Sequence, residues 1–174
     1  MHAKADRLHI VTYPHPSLRR KAAAVDAVTD EVRAVAARML ELMHEARGVG
    51  LAAPQVDLPW RLFVANPTGE PEDDHVYINP VLREPSPETI ARTEGCLSIP
   101  EVEGEITRPV AVSIEALDAD GNPVTERSDE LIARIWQHET DHLDAVLIID
   151  RMTPMDKTAN RRSLKEMEGR AGGR

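Results

Sequence analysis

The sequence predicts an α+β fold, with mostly antiparallel sheets packed around a central helix that carries a His-Glu-x-x-His run. Three observations predict it. Apolar residues recur at helical 3/4 spacing over residues 29–46 and again over 129–143. Between these stretches lie short runs rich in Val, Ile and Leu, separated by Pro, Gly and acidic residues, which read as strands. The strands come in series rather than alternating with helices, which favours antiparallel pairing over a parallel sheet. At 174 residues, 41% of them hydrophobic, the chain is long enough for one domain with a proper core. Only five residues are aromatic, so that core is built from Val, Ile, Leu, Ala and Met.

Composition excludes several classes of function. A net charge of −9 argues against a general DNA, RNA or anionic-membrane binder. No stretch approaches the roughly 18 apolar residues that a membrane helix needs. The first seven residues, Met1 to Arg7, lack the apolar run of a signal peptide. A single cysteine rules out an internal disulfide and fits a reducing compartment. The expectation is a cytoplasmic monomer.

Taken in order, Leu8 to Tyr13 is a short apolar run ended by Tyr13-Pro14-His15-Pro16, an extended or turn segment. Thr29 to Ala46 is a strong helix. Thr29 can cap it, Asp30 and Glu31 follow, and Val32, Val35, Ala36, Met39, Leu40 and Met43 form its apolar face. Gly48 is placed to end it. That Met/Leu/Val stripe reads as plain core packing. Gly48-Val49-Gly50-Leu51-Ala52-Ala53-Pro54-Gln55 leaves the backbone nearly bare, which suits close approach of another chain or a ligand. It is no phosphate loop, because no Lys-Ser/Thr follows.

Residues 61–65 and 75–78 read as strands around a Pro/Gly/acid loop, and Pro80, Pro85 and Pro87 break the next stretch into short pieces. Residues 110–117 form a strand, and Asp120-Gly121-Asn122 with Pro123 is a turn signal. From Lys157 the tail carries six Lys/Arg against two Glu and ends in Gly-rich sequence, the pattern of a solvated helix that frays.

The helix over 129–143 carries the chemistry. Ser128 reads as its N-cap, with Asp129 and Glu130 in the first turn. Four residues advance a helix by about 400°, so His138 and His142 point the same way, one turn apart. That is the bite a metal needs from two imidazoles, with Glu139 close enough to act on a metal-activated water. Leu131, Ile135, His138 and His142 follow at i, i+4, i+7 and i+11, which puts the histidines on a buried stripe. A lone cysteine is more often a small buried hydrophobe than a ligand. Beside two such histidines, Cys96 supplies a third donor and leaves a fourth tetrahedral position open, as a catalytic site requires.

Gly48-Val49-Gly50-Leu51-Ala52-Ala53-Pro54-Gln55, then Glu94-Gly95-Cys96-Leu97-Ser98, then Gln137-His138-Glu139-Thr140-Asp141-His142-Leu143 resemble the three signature motifs of peptide deformylase, in order. The similarity extends to Tyr13-Pro14-His15-Pro16-Ser17-Leu18-Arg19 and to Ile149-Asp150-Arg151, so it spans residues 8–155. The resemblance implies a catalytic deformylase domain over 1–155, with 156–174 as a basic, partly frayed tail or helix. It implies that Cys96, His138 and His142 bind one metal ion, Fe2+ in the cell, with Zn2+, Ni2+ or Co2+ able to substitute. Ligand chemistry by itself suggests zinc first. It further implies that Glu139 is the general base and acid. The Gln55 amide and the Leu97 backbone N–H would steady the oxyanion, and Gly50 would let substrate backbone approach. Apolar side chains near Val49 and Leu131 would line a methionine pocket. The implied substrates are N-formyl-methionyl nascent peptides, which yield formate and a free N-terminus. The basic tail suggests docking near nascent chains on the ribosome.

Three positions depart from the family pattern. Glu103 stands where an Arg or Tyr is common, Arg92-Thr93 replace an apolar or aromatic residue, and Ala145 replaces a Gly. If position 145 needs φ > 0, Ala costs on the order of 1 kcal/mol there. The first two bear on peptide preference, not on reaction type. The rival readings are a deformylase-like protein with altered substrate, a zinc endopeptidase, and a non-catalytic metal-binding or ribosome-associated module. An endopeptidase would take its third ligand downstream of His142. Position 148 is Ile, and Glu166 and Glu168 lie in the polar tail. A structural module has no use for Glu139 or Gln55.

Overall fold

The computed structural model describes residues 4–173. Thr29 starts the first helix as expected: its Oγ1 accepts from the Val32 N–H at 3.3 Å, and α1 runs Asp30–Glu45. Its buried face is Val32, Val35, Ala36, Met39, Leu42 and Met43. Leu42 thus does what Leu40 was expected to do, and Leu40 is only partly buried. The end also differs from expectation. Arg47, at φ 55°, takes the left-handed position, donating to His44 O at 3.0 Å while the Gly48 N–H reaches Met43 O at 2.9 Å. Gly48 answers to a different demand. A Cβ there would lie 2.6 Å from Leu97 Cδ1, so the bare backbone makes room for the turn that follows Cys96.

The strands are β1 (Gly50–Ala52), β2 (Leu62–Ala65), β3 (His75–Arg83), β4 (Thr89–Cys96), β5 (Ile99–Pro109), β6 (Val112–Leu117) and β7 (Pro123–Ser128). They form a five-stranded sheet in the order β1-β2-β3-β6-β7 and a two-stranded sheet β4-β5, antiparallel throughout. The α+β, antiparallel expectation is met. Both faces of β2 are covered. Leu62 and Val64 pack with α1, whereas Phe63 and Ala65 pack on the opposite side, which explains why this strand reads as a continuous apolar run.

Two strand readings need correction. β3 does not stop at Ile78 but passes through Pro80, because Asn79 at φ 51° makes a bulge where a missing N–H costs no ladder bond. The Asn79 amide fixes that bulge, accepting from Val25 N–H at 2.8 Å and donating to Val25 O at 2.9 Å. The stretch expected to break into pieces after Pro87 is instead the β4–β5 hairpin. β4 is exposed along most of its length and carries no apolar alternation. β5 does alternate, burying Val102, Gly104, Ile106 and Arg108.

The second helix, α2, runs Leu131–Leu143 and begins later than the sequence suggests. Ser128 Oγ accepts from the Glu130 N–H at 3.0 Å in a turn ahead of the helix, so Glu130 rather than Ser128 is the N-cap. Leu131 is 50% exposed and leaves the buried stripe. One face of α2 sets Ala133, Trp136 and Leu143 against Phe63 and Tyr77 of the large sheet, Trp136 and Tyr77 meeting edge-on at 6.0 Å. Its end closes through Ala145 at φ 62°, which donates to His142 O at 3.2 Å, while the Val146 N–H reaches Asp141 O at 2.9 Å. Position 145 does require the left-handed conformation.

A short helix α3 (Ile148–Arg151) leads into α4 (Pro154–Gly172). The basic segment expected as a solvated helix is helical through Gly172, and this helix is capped by Thr153, whose Oγ1 accepts from the Asp156 N–H. It lies along β5: Asp156 accepts from the Glu105 N–H at 2.9 Å and Asn160 donates to Glu103 O at 2.7 Å. Met167 and Leu164 join Val11, Leu18, Ile106, Ile148 and Met152 in a third apolar cluster. None of the described helices is long and apolar enough to cross a membrane.

Candidate active site

α2 presents His138 and His142 one turn apart, with ring centroids 5.1 Å from each other. The β4–β5 hairpin brings Cys96 to them from outside the helix, its Sγ 3.3 Å from His142 Nε2. One donor atom from each of the three lies within 4.8 Å of the others, so the set can hold a metal ion. A thiolate and two imidazoles are a borderline-soft donor set suited to a divalent transition metal. His138 Nδ1 is 2.9 Å from Glu94 Oε1, which fixes the ring and frees Nε2 for the cluster.

Glu94 is the hub behind the histidine. It receives a two-pronged bond from Arg108, at 2.6 and 2.9 Å, and lies 2.8 Å from Arg134 Nε. Arg108 in turn donates to Asp141 at 2.9 Å, and Arg151 closes the chain onto Asp141 at 2.8 Å. Burial pushes the Glu94 carboxyl up, but Arg108 and His138 outweigh it and bring it down to about 2. The same burial lowers Arg108, and its carboxylate partners raise it to a net upward shift. This network spans β4, β5, α2 and α3. It holds the hairpin that bears the cysteine against the helix that bears the histidines. Arg108 belongs to no motif the sequence displays. The signal for it was the alternation of β5, which sets a charged residue, 3% exposed, in a core register.

Glu139 is 4% exposed, and its Oε2 has no hydrogen-bond partner among the described residues. Oε1 lies 4.0 Å from His138 Nε2. Burial pushes its carboxyl up, only partly offset by His138, to about 7. A carboxyl poised near neutrality beside a metal-binding set is the arrangement a proton-transfer group needs. The two imidazoles shift in opposite directions. Burial depresses both, but bonds to Cys96 and Glu94 carry His138 to a net rise, while His142 stays depressed.

Gln55, 1% exposed, is locked by its own backbone: Oε1 accepts from the Ala52 N–H at 2.8 Å. Its NH2 is therefore turned toward the cluster, 3.1 Å from Ser98 Oγ and 3.6 Å from Cys96 Sγ. Leu97 stands in the turn between β4 and β5 and folds over Gly48. Gly50 has a tighter neighbour than a passing ligand. A Cβ there would fall 2.5 Å from Glu139 Oε1 and 2.9 Å from Ile135 Cγ2. Its lack of a side chain is what lets Glu139 sit where it does.

All seven residues singled out by sequence converge. Gly50, Gln55, Cys96, Leu97, His138 and Glu139 line one cleft of about 830 Å3, with His142 buried beneath it at 1% exposure. Val49 and Leu131 line the same cleft and are the half-exposed apolar groups at its mouth, 45% and 50% exposed. The downstream carboxylates of an endopeptidase-like ligand set are engaged elsewhere: Glu168 accepts from Tyr13 OH at 2.6 Å, and Glu166 pairs with Arg162 at 3.0 Å.

The family model described as Polypeptide deformylase matches residues 7–158. This chain belongs to the polypeptide deformylase family. A peptide deformylase of Chromohalobacter salexigens is 43% identical over 94% of this chain and 95% of its own. One of Rhodopirellula baltica is 40% identical over 93% and 78%. In three dimensions, a plant peptide deformylase crystal structure superposes with a TM-score of 0.91 at 38% identity, covering 95% of this chain and 91% of that one. The family-model match ends at residue 158, within α4.

Proposed function

We propose that this deformylase removes the N-formyl group from the terminal formyl-methionine of newly made polypeptides, with Cys96, His138 and His142 holding one metal ion and Glu139 moving the proton. One observation carries the assignment of roles. A Cys/His/His donor set and a buried carboxyl poised near neutrality, its Oε2 unpartnered, meet at one cleft. The metal, when bound, supplies Lewis acidity that lowers the pKa of water and polarises the formyl carbonyl. Glu139 accepts the proton of the attacking water and returns it to the amine of the departing peptide, so water and formamide become formate and a free N-terminus. The locked Gln55 NH2 and the Leu97 backbone N–H steady the negative charge that develops on the formyl oxygen, each such donor contributing about 3–4 kcal/mol in comparable sites. Val49 and Leu131 offer the methionine side chain an apolar mouth.

Fe2+ is the expected metal, with Zn2+, Ni2+ or Co2+ able to occupy the set. Lys157, Arg161, Arg162 and Lys165 of α4 are exposed, which supports docking of this helix on the ribosome. The test is formate release from a formyl-Met tripeptide by protein purified without oxygen and loaded with iron, nickel or zinc. Fast release with iron or nickel is expected. No release with any metal, at about one bound ion per chain, would overturn the reading.

A further inference from the structure

The charges of the cleft are not balanced along its walls. β5 contributes Glu101 and Glu103, both exposed and both without an ion-pair partner among the described residues. Glu103 is held in place by what surrounds it. Its Cγ would lie 3.8 Å from a Cβ on Gly95, the residue before Cys96, so its side chain stands over the bare backbone beside the metal-binding cysteine. Its carbonyl is tied to Asn160 of α4 at 2.7 Å. A Cβ on the next residue, Gly104, would meet Met152 at 2.8 Å and Asp156 at 3.3 Å, so α4 lies hard against β5. That packing adds Asp156 to the same wall, its carboxyl pulled down by the Thr153 hydroxyl and the Glu105 N–H and therefore anionic. The cleft is also lined by Arg47, exposed in its left-handed turn, and by Arg134, which is engaged with Glu94 and the Ile106 carbonyl. The cleft is a ligand site on independent grounds, because the unpartnered Oε2 of Glu139 lies buried in it beside the Cys/His/His set.

We propose that Glu103, with Glu101 beside it, selects substrates with a cationic side chain in the residues that follow the formyl-methionine. The proposal rests on the deformylase reading above and adds a preference within it. Exposed carboxylate–cation pairs are each worth about 0.2–1 kcal/mol, a factor of roughly 1.4 to 5. Exchanging a peptide Lys for Glu turns attraction into repulsion at two carboxylates, so the expected preference in kcat/KM is on the order of tenfold. At these solvent-exposed positions it will shrink with added salt.

The experiment measures formate release from formyl-Met-X-Y tripeptides with Lys, Ala or Glu at X and then at Y, using iron- or nickel-loaded enzyme. The wild-type ratio of Lys to Glu peptide is expected to be about tenfold at low salt and to approach about two at 0.5 M NaCl. Glu103→Gln should reduce the ratio about threefold, and Glu103→Lys, whose cation offsets Glu101, should bring it to about one. Reading the ratio within each variant cancels any general loss of turnover. Equal rates for Lys and Glu peptides at both positions, or a ratio that ignores salt and Glu103, would overturn the charge selection while leaving deformylation intact. If Glu103→Lys does not fold, the salt dependence of the wild-type ratio decides the matter by itself. Failure to release formate from any peptide would instead refute the deformylase reading.

Discussion

Gly50→Ala tests the packing beneath the proton-transfer group. The added methyl would stand 2.5 Å from Glu139 Oε1, 2.9 Å from its Cδ and 2.9 Å from Ile135 Cγ2, against an ordinary contact of 3.4–4 Å. The shortfall at Oε1 is about 1 Å, so Glu139, which lines the cleft, must swing out of its place to admit the methyl. Forcing a methyl into such a site costs about 1–3 kcal/mol of stability. A displacement of about 1 Å in a reacting group costs up to about 10²-fold in rate, equivalent to nearly 3 kcal/mol of barrier. The expected result is a kcat/KM for formate release about two orders of magnitude down, with metal content unchanged, because the three atoms nearest the added methyl belong to Glu139 and Ile135 and not to the Cys/His/His donors. Adding Glu139→Ala should then recover part of the lost stability, since it removes Oε1 and Cδ but leaves the Ile135 contact. A Gly50→Ala enzyme with wild-type kcat/KM would refute the argument. So would a double variant whose stability losses simply add in urea titrations, because contacting residues should couple.

Ala145→Gly should stabilise the protein by about 1 kcal/mol, since Ala145 sits at φ 62° where Gly carries no Cβ penalty. In a domain of this size that raises Tm by about 2–4 °C, and a lower Tm would sink the idea. Arg108→Ala leaves Glu94 and Asp141 without their shared partner and should cost about 3–5 kcal/mol, along with metal affinity through the loosened His138, as read by denaturation and by metal content after dialysis. Glu94 also sets a pH dependence. Its carboxyl is at about 2 in the folded protein against an ordinary 4.5, so its contribution is full above pH 4.5 and disappears as pH falls toward 2. That contribution is about 3 kcal/mol, and Glu94→Gln should therefore narrow the gap between stability at pH 6 and at pH 3, whereas parallel curves for both proteins would contradict it. Glu139→Gln should retain metal and lose most turnover. It should also stabilise the metal-free protein at pH 8, where a carboxyl held at about 7 by burial opposes folding and the amide does not.

The sequence by itself determined what is local. Helical spacing put two histidines on one face with a glutamate beside them, Thr29 capped α1, and the apolar runs of β2, β3 and β6 were legible because burial on one or both faces leaves a pattern in the residues. Deformylase membership was legible for the same reason, since three short motifs carry the cluster and its near neighbours. Tertiary structure decided what depends on partners distant in the chain. β4 left little trace, because this strand of the two-stranded ribbon is exposed along most of its length and has no core to pattern it. Gly50 and Gly48 read as bare backbone, but only the fold shows that Glu139 and Leu97 occupy the space they leave. Arg108, 33 residues from Asp141 and 14 from Glu94, is one arginine among many until three elements bring those charges within hydrogen-bonding distance. The choice of Arg47 and Ala145 for left-handed turns belongs to the same class. A backbone angle is imposed by where the chain must go next, and packing at each helix end overrides the preference of the residue that stands there.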